Sequence, residues 1–101
     1  MTKYNKLVRD KIPEHIKSRG GVPVTHIADD KEYWQKLKEK MLEETAEFIQ
    51  AENAEEIADI LEVIDAICDY KKFDKKELQA VKEKKAQERG RFKDKIILEE
   101  S

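Results

Sequence analysis

The sequence predicts an all-α fold, an antiparallel helical bundle, with room for a minor two-stranded β element from segments 22–28 and 94–99. Three observations carry this reading. Charged residues make up 44% of the 101 positions and aromatics 7%, with three glycines and two prolines, a composition of polar-surfaced helices rather than of a β-sandwich. Apolar residues recur at spacings of three and four over two long stretches. Capping signals, rather than glycine-rich turns, separate those stretches.

Taken in order, Asp10 to Arg19 reads as a short helix with Pro13 in its first turn, Ile12 and Ile16 on one side, and Gly20 and Gly21 ending it. "VPVTHIA", Val22 to Ala28, alternates and holds β-branched residues, so it is expected to be extended, an edge strand because of Pro23. A long helix should run from Asp30 to Ala51, with Trp34, Leu37, Met41, Thr45, Phe48 and Ile49 as its core stripe. Asn53 followed by Glu56 is a capping-box pattern opening a second long helix to about Phe73. Its apolar stripe is Ile57, Ile60, Leu61, Ile64, Ile67 and Cys68. Asp74 with Glu77 repeats the pattern for a third, weakly amphipathic helix that ends near Gly90, a C-cap glycine. "KIILEE" would be a strand pairing with "VPVTHIA". The short connection at Ala51 to Asn53 makes the two long helices antiparallel neighbours.

The length fits one domain, residues 1–101, with a modest buried fraction, so association into a homodimer or homotetramer is a natural way to bury more. No apolar run approaches the roughly 18 to 20 residues of a membrane span and no charged-then-apolar leader opens the sequence, which points to the cytoplasm. The lone Cys68 has no partner for an internal disulfide, in keeping with a reducing compartment. Charge is segregated. Residues 1–28 carry six Lys/Arg against two acids, residues 29–69 four against fourteen, and residues 70–101 eleven against seven. An acidic centre between basic ends suits a cation and an anion together, although each run alone also reads as a solvated helix face. The acidic centre argues against a nucleic-acid polymer as partner.

At about 100° per residue, Glu44 falls at the edge of the first apolar stripe, Glu47 one step further round, and Glu43 on the side away from the core. On the second helix Glu56 and Asp59 lie beside the stripe, in the sector of Val63, Ala66 and Tyr70. Antiparallel helices joined by a short turn would bring these acid pairs face to face. Four carboxylates so placed repel one another, and a divalent cation resolves the conflict. Oxygen ligands without histidine or cysteine favour Mg²⁺, or Mn²⁺, over zinc. The sequence holds no Glu-x-x-His, the pattern of di-iron bundles.

"EETAE" followed by "EIAD", within "MLEETAEF" and "AEEIADILEVIDAI", resembles the Glu-Glu-x-x-Glu and Glu-x-x-Asp signature of the all-α nucleotide pyrophosphohydrolases, the superfamily of MazG and phosphoribosyl-ATP pyrophosphohydrolase. "YNKLVRDKIPEHI" and "ERGRFKDKIIL" resemble a small house-cleaning branch of it. The eight residues between Glu47 and Glu56 are fewer than in typical members. The resemblance implies hydrolysis of a nucleoside triphosphate or related nucleotide between the α and β phosphates, giving a monophosphate and pyrophosphate. It implies metal ligation by Glu44, Glu47, Glu56 and Asp59, with Glu43 and Glu47 as catalytic carboxylates. Ions there would bridge phosphate oxygens and activate a water. Lys6, Arg9 and Lys11, with Arg89, Arg91 and Lys93, are the basic residues expected to complete the phosphate site. Local pairing, as between Arg9 and Asp10, is the plainer reading of each. No Walker-type glycine loop is present.

His15 and His26 have no second ligand at metal spacing and read as surface or packing residues. Trp34 heads an apolar stripe and reads as a core anchor, and Phe92 as packing for the C-terminal strand. The competing function is a non-catalytic charged helical dimerisation or adaptor module, its acids spent on salt bridges with the many lysines.

Overall fold

The computed structural model describes residues 3–101. It holds four helices, α1 Ile12–Ser18, α2 Asp30–Ala51, α3 Ala54–Lys71 and α4 Lys75–Arg89. The all-α reading holds. α3 and α4 start at the expected caps, Asn53 and Asp74, and α2 starts at a third, unexpected cap, Asp29. Asp29 accepts from the Glu32 N–H at 2.8 Å, Asn53 from the Glu56 N–H at 3.0 Å, and Asp74 from the Lys76 N–H at 2.8 Å. Such caps satisfy backbone donors that the first turn leaves unpaired.

The ends are equally local in origin. Glu52, in the left-handed region at φ 53°, closes α2 by donating its N–H to the Phe48 carbonyl. Asn53 then caps α3 at once, so two residues make the whole turn. Lys72, at φ 60°, ends α3 at Lys71, two residues before Phe73, and Asp74 then caps α4. The α1 helix is shorter than Asp10 to Arg19. Gly20 leaves it at φ 84°, and a Cβ on Gly21 would stand 2.6 Å from the Ile16 methyl, so glycine fits the close return.

The expected β element does not form: no strand occurs among the described residues. Val22, Val24, Ile96, Ile97 and Leu98 lie open to solvent, and Ile27 is 96% exposed. A two-stranded ribbon is marginal without a face to pack on, and neither segment is given one here.

The α2 and α3 helices form an antiparallel pair, and theirs is the substantial helix–helix packing among the described residues. Their interface turns out to be rotated from the predicted apolar stripes toward the acidic sector. Leu37, Val63, Cys68 and Glu44 are buried, whereas Leu42, Ile49, Ile57 and Leu61 stay exposed. Val63 was expected at the shoulder beside Glu56 and Asp59; it is part of the buried seam. At the open end of the pair, Trp34 stacks on Tyr70 with centroids 5.3 Å apart, and Tyr33 meets Tyr70 edge-on at 5.6 Å. Tyr70 also donates its hydroxyl to the Asp30 carbonyl at 3.3 Å. Lys71 and Lys38 lie over the Trp34 ring, which is half-buried and packs on Tyr70 outside the fully buried seam. The segment before α1 runs beside this pair, tied down by Lys36, whose ammonium donates to the Asn5 carbonyl at 2.7 Å.

Candidate metal centre

Five carboxylates gather along the seam between α2 and α3. Oxygens of Glu44, Glu56 and Asp59 lie within 4.8 Å of one another, and so do oxygens of Glu43, Glu44 and Glu47. Glu44 is common to both groups. Periodicity explains the arrangement: Glu43, Glu44 and Glu47 occupy adjacent turns of α2, Glu56 and Asp59 one turn of α3, and the two-residue connection folds one set onto the other.

Burial distinguishes the members. Glu44 is only 6% exposed, Glu43, Glu56 and Asp59 are half-buried, and Glu47 is exposed at the rim. Glu44 Oε2 and Glu56 Oε2 are both sealed from solvent and have no hydrogen-bond partner. Buried polar atoms are ordinarily paired, and leaving one unpaired costs about 1 to 3 kcal/mol. Burial pushes the Glu44 carboxyl above its ordinary value; Lys40 opposes the shift and neighbouring Glu47 adds to it. Orphaned acceptors, an elevated carboxyl and an all-oxygen donor set are what a hard divalent cation relieves. The residues present therefore fit Mg²⁺ or Mn²⁺.

Cations from the protein surround the cluster. Lys6 Nζ lies 2.9 Å from Glu43 Oε1, and Arg9 Nη2 lies 2.8 Å from Asp59 Oδ1 with Nη1 3.9 Å from Glu62. Glu43 was expected to face away from the core, but Lys6 and Lys40 hold it against the seam and keep its carboxyl below the ordinary value of 4.5. Arg9 reaches across to α3 rather than pairing with Asp10. Lys40 is the residue that reading by motif missed. It stands 3.3 Å from Glu44 and 3.5 Å from Glu43, at the i,i+4 and i,i+3 spacings that were visible in the sequence.

The other basic residues are placed elsewhere. Arg89 ends α4, Arg91 pairs with Glu83 at 2.8 Å, and Lys93 lies in the segment that follows. Among the described residues neither these nor Lys11 makes an ion pair with the acidic cluster. His26 sits on the surface, 3.0 Å from the Glu32 carboxylate, and His15 is exposed in α1.

No protein-family model matches this chain, and no solved structure does. An uncharacterised protein of Mycolicibacterium smegmatis is 47% identical over 47 residues, which is 46% of this chain and 48% of that protein. The chain thus spans about half the length of the curated relative it matches.

Proposed function

We propose that this chain is a Mg²⁺-dependent, or Mn²⁺-dependent, nucleotide pyrophosphohydrolase of the MazG-like superfamily, acting in the cytoplasm on a nucleoside triphosphate or a related, non-standard nucleotide. The observation that carries the reading is the pair of sealed, unpartnered oxygens on Glu44 and Glu56, two carboxylates that come together with Asp59 from two helices. A purely structural seam would place apolar groups there, since an unpaired buried acceptor weakens it. The motif likeness rests on the same carboxylates and agrees with the chemistry.

In this reading Glu44, Glu56 and Asp59 hold the cation, with Glu47 closing the set from the rim. When bound, the cation supplies charge neutralisation for the phosphate chain and acidifies a nucleophilic water. Glu47, exposed and beside the cluster, is placed to orient that water and accept its proton, and Glu43 is the second such group. Water attacks the α phosphorus, the α–β anhydride bond breaks, and pyrophosphate leaves with the bridging oxygen. Arg9 and Lys6, already at the cluster, steady the phosphate oxygens. Arg89, Arg91 and Lys93 serve if they come from a neighbouring copy.

Such a neighbour is part of the proposal. The chain exposes 9484 Å², against about 5,900 Å² for a folded monomer of its mass of 11.9 kDa. Homodimer or homotetramer formation would cover the apolar residues left open on α2 and α3.

An adaptor module needs no cation and cleaves nothing. The test is a panel of ordinary, deoxy and oxidised nucleotides with Mg²⁺, read for released pyrophosphate and for the thermal midpoint of the protein. The hydrolase releases pyrophosphate from at least one nucleotide and gains several degrees of stability with Mg²⁺. Glu56→Gln and Asp59→Asn each lose both responses. Absence of both in the wild type would leave the adaptor reading standing.

A further inference from the structure

We propose that the cavity between the N-terminal segment and α2 seats the phosphate chain, and that Lys6 and Lys40 turn to it from Glu43 and Glu44 when a divalent cation enters. The inference rests on the pyrophosphohydrolase reading and adds a ligand pocket and an order of events to it.

The cavity measures about 210 Å³, and Lys6, Lys36 and Lys40 line it together with Tyr4, Glu39 and Glu43. Lys36 and Lys40 stand one helical turn apart on α2 and so share one wall. Lys6 faces them from the segment before α1. The Lys36 and Lys40 side chains are 26% and 17% exposed, low for lysine, which ordinarily keeps its ammonium in water. Side chains so covered hold their charge close to the anionic groups beside them.

Their partners in this state are lent by the neighbouring cluster. Lys6 lies 2.9 Å from Glu43, and Lys40 lies 3.5 Å from Glu43 and 3.3 Å from Glu44. Lys36 is held by Glu39 at 3.5 Å and by the Asn5 carbonyl. Glu43 and Glu44 also belong to the two carboxylate groups that suit a cation. One carboxylate cannot serve an ammonium and a dication at full strength, and the dication has twice the charge. Its entry therefore weakens the hold on Lys6 and Lys40, whose four-carbon stems let the ammonium swing without backbone movement. The adjoining cavity then carries surplus positive charge next to bound metal, which suits a chain of phosphates. Cation and phosphate chain thereby bind in concert, and the lysines guard the carboxylates against repulsion while the cation is away.

The test compares wild type with Lys40→Met and Lys6→Met in two binding measurements. One is Mn²⁺ binding without nucleotide, followed by the electron paramagnetic resonance of free Mn²⁺. The other is equilibrium dialysis of inorganic pyrophosphate at a fixed free Mg²⁺ concentration. Removing a competing ammonium should tighten Mn²⁺ up to about fivefold, the worth of a partly covered ion pair. Removing a charged donor to phosphate should weaken pyrophosphate about tenfold or more. The opposite signs are the signature. A lysine that only supports the fold would weaken both ligands or neither, and either result overturns the proposal. Lys6 lies on a segment outside the helices, so its variant keeps the test valid if Lys40→Met fails to fold. Wild type that binds no Mn²⁺ removes the pyrophosphohydrolase reading as well, whereas Mn²⁺ binding unchanged by both substitutions removes this inference alone.

Discussion

Glu44 gathers the conflict at the centre of the chain into one side chain: buried, flanked by other acids, and balanced by Lys40 alone among nearby α2 lysines in contact with it. Its carboxyl sits above the ordinary value chiefly through burial. A group whose folded pKa is raised contributes stability that is present at low pH and lost as pH rises through the raised value. Without divalent cation, wild type should therefore lose stability at this residue as pH rises above 4.5 through the raised value. Glu44→Gln removes that slope and should raise metal-free stability at pH 7 by about 1 kcal/mol, as substitutions at strained functional positions commonly do. The same variant should gain nothing from Mg²⁺. Denaturant titrations at two pH values, with and without Mg²⁺, check both signs. A loss of stability in Glu44→Gln at neutral pH would mean the carboxylate serves the fold rather than a ligand. Glu43 behaves oppositely. Lys6 holds its carboxyl low, so its contribution is present above 4.5 and lost as pH falls through the depressed value.

Between residues and the molecule stands the two-residue turn that folds α2 onto α3. It sets which acids meet, and its hinge is the Asn53 side chain accepting from the Glu56 N–H. Glu56 thus has its backbone fixed by the cap and its side chain offered to the cluster. Asn53→Ala should cost about 1 kcal/mol in thermal or denaturant unfolding. It should also lower Mg²⁺ affinity, because the start of α3 carries Glu56 and Asp59. The starts of α3 and α4 were legible in the sequence for this reason: Asn53 and Asp74 act within three residues of themselves. The acid positions were legible too, since their spacing alone puts Glu44 opposite Glu56. What could not be read was the rotation of each helix about its axis. Periodicity finds the most apolar stripe, but in this structure the seam between α2 and α3 follows Leu37, Glu44 and Val63, leaving Leu61 and Ile49 open. The β pairing failed for a related reason, since alternation in "VPVTHIA" says nothing about whether a sheet partner or a covering face exists.

Across the whole molecule, the Cα radius of gyration is 17.9 Å over an elongated 55 × 31 × 24 Å envelope. A compact chain of this length would have a radius of about 13 Å. The surplus surface, roughly 3,500 Å² by the mass scaling, lies partly on the segments flanking α1 and following α4. It also includes Leu42, Ile49, Ile57 and Leu61, of which Leu42 is 73% exposed. A stable interface needs about 800 Å² from each partner, and the exposed apolar residues of α2 and α3 are the part of this surface that association would cover. Light scattering should accordingly give a mass of at least twice 11.9 kDa. Leu61→Glu should shift the population toward monomer and lower thermal stability with it. A monomeric wild type at micromolar concentration would contradict the assembly while leaving the carboxylate site intact. That site is tested most directly by a crystal structure determined from protein soaked in Mn²⁺, read by anomalous scattering. The expected result is a peak enclosed by Glu44, Glu56 and Asp59, with oxygens at about 2 to 2.5 Å; an empty cluster at saturating Mn²⁺, or peaks confined to surface acids, would contradict it.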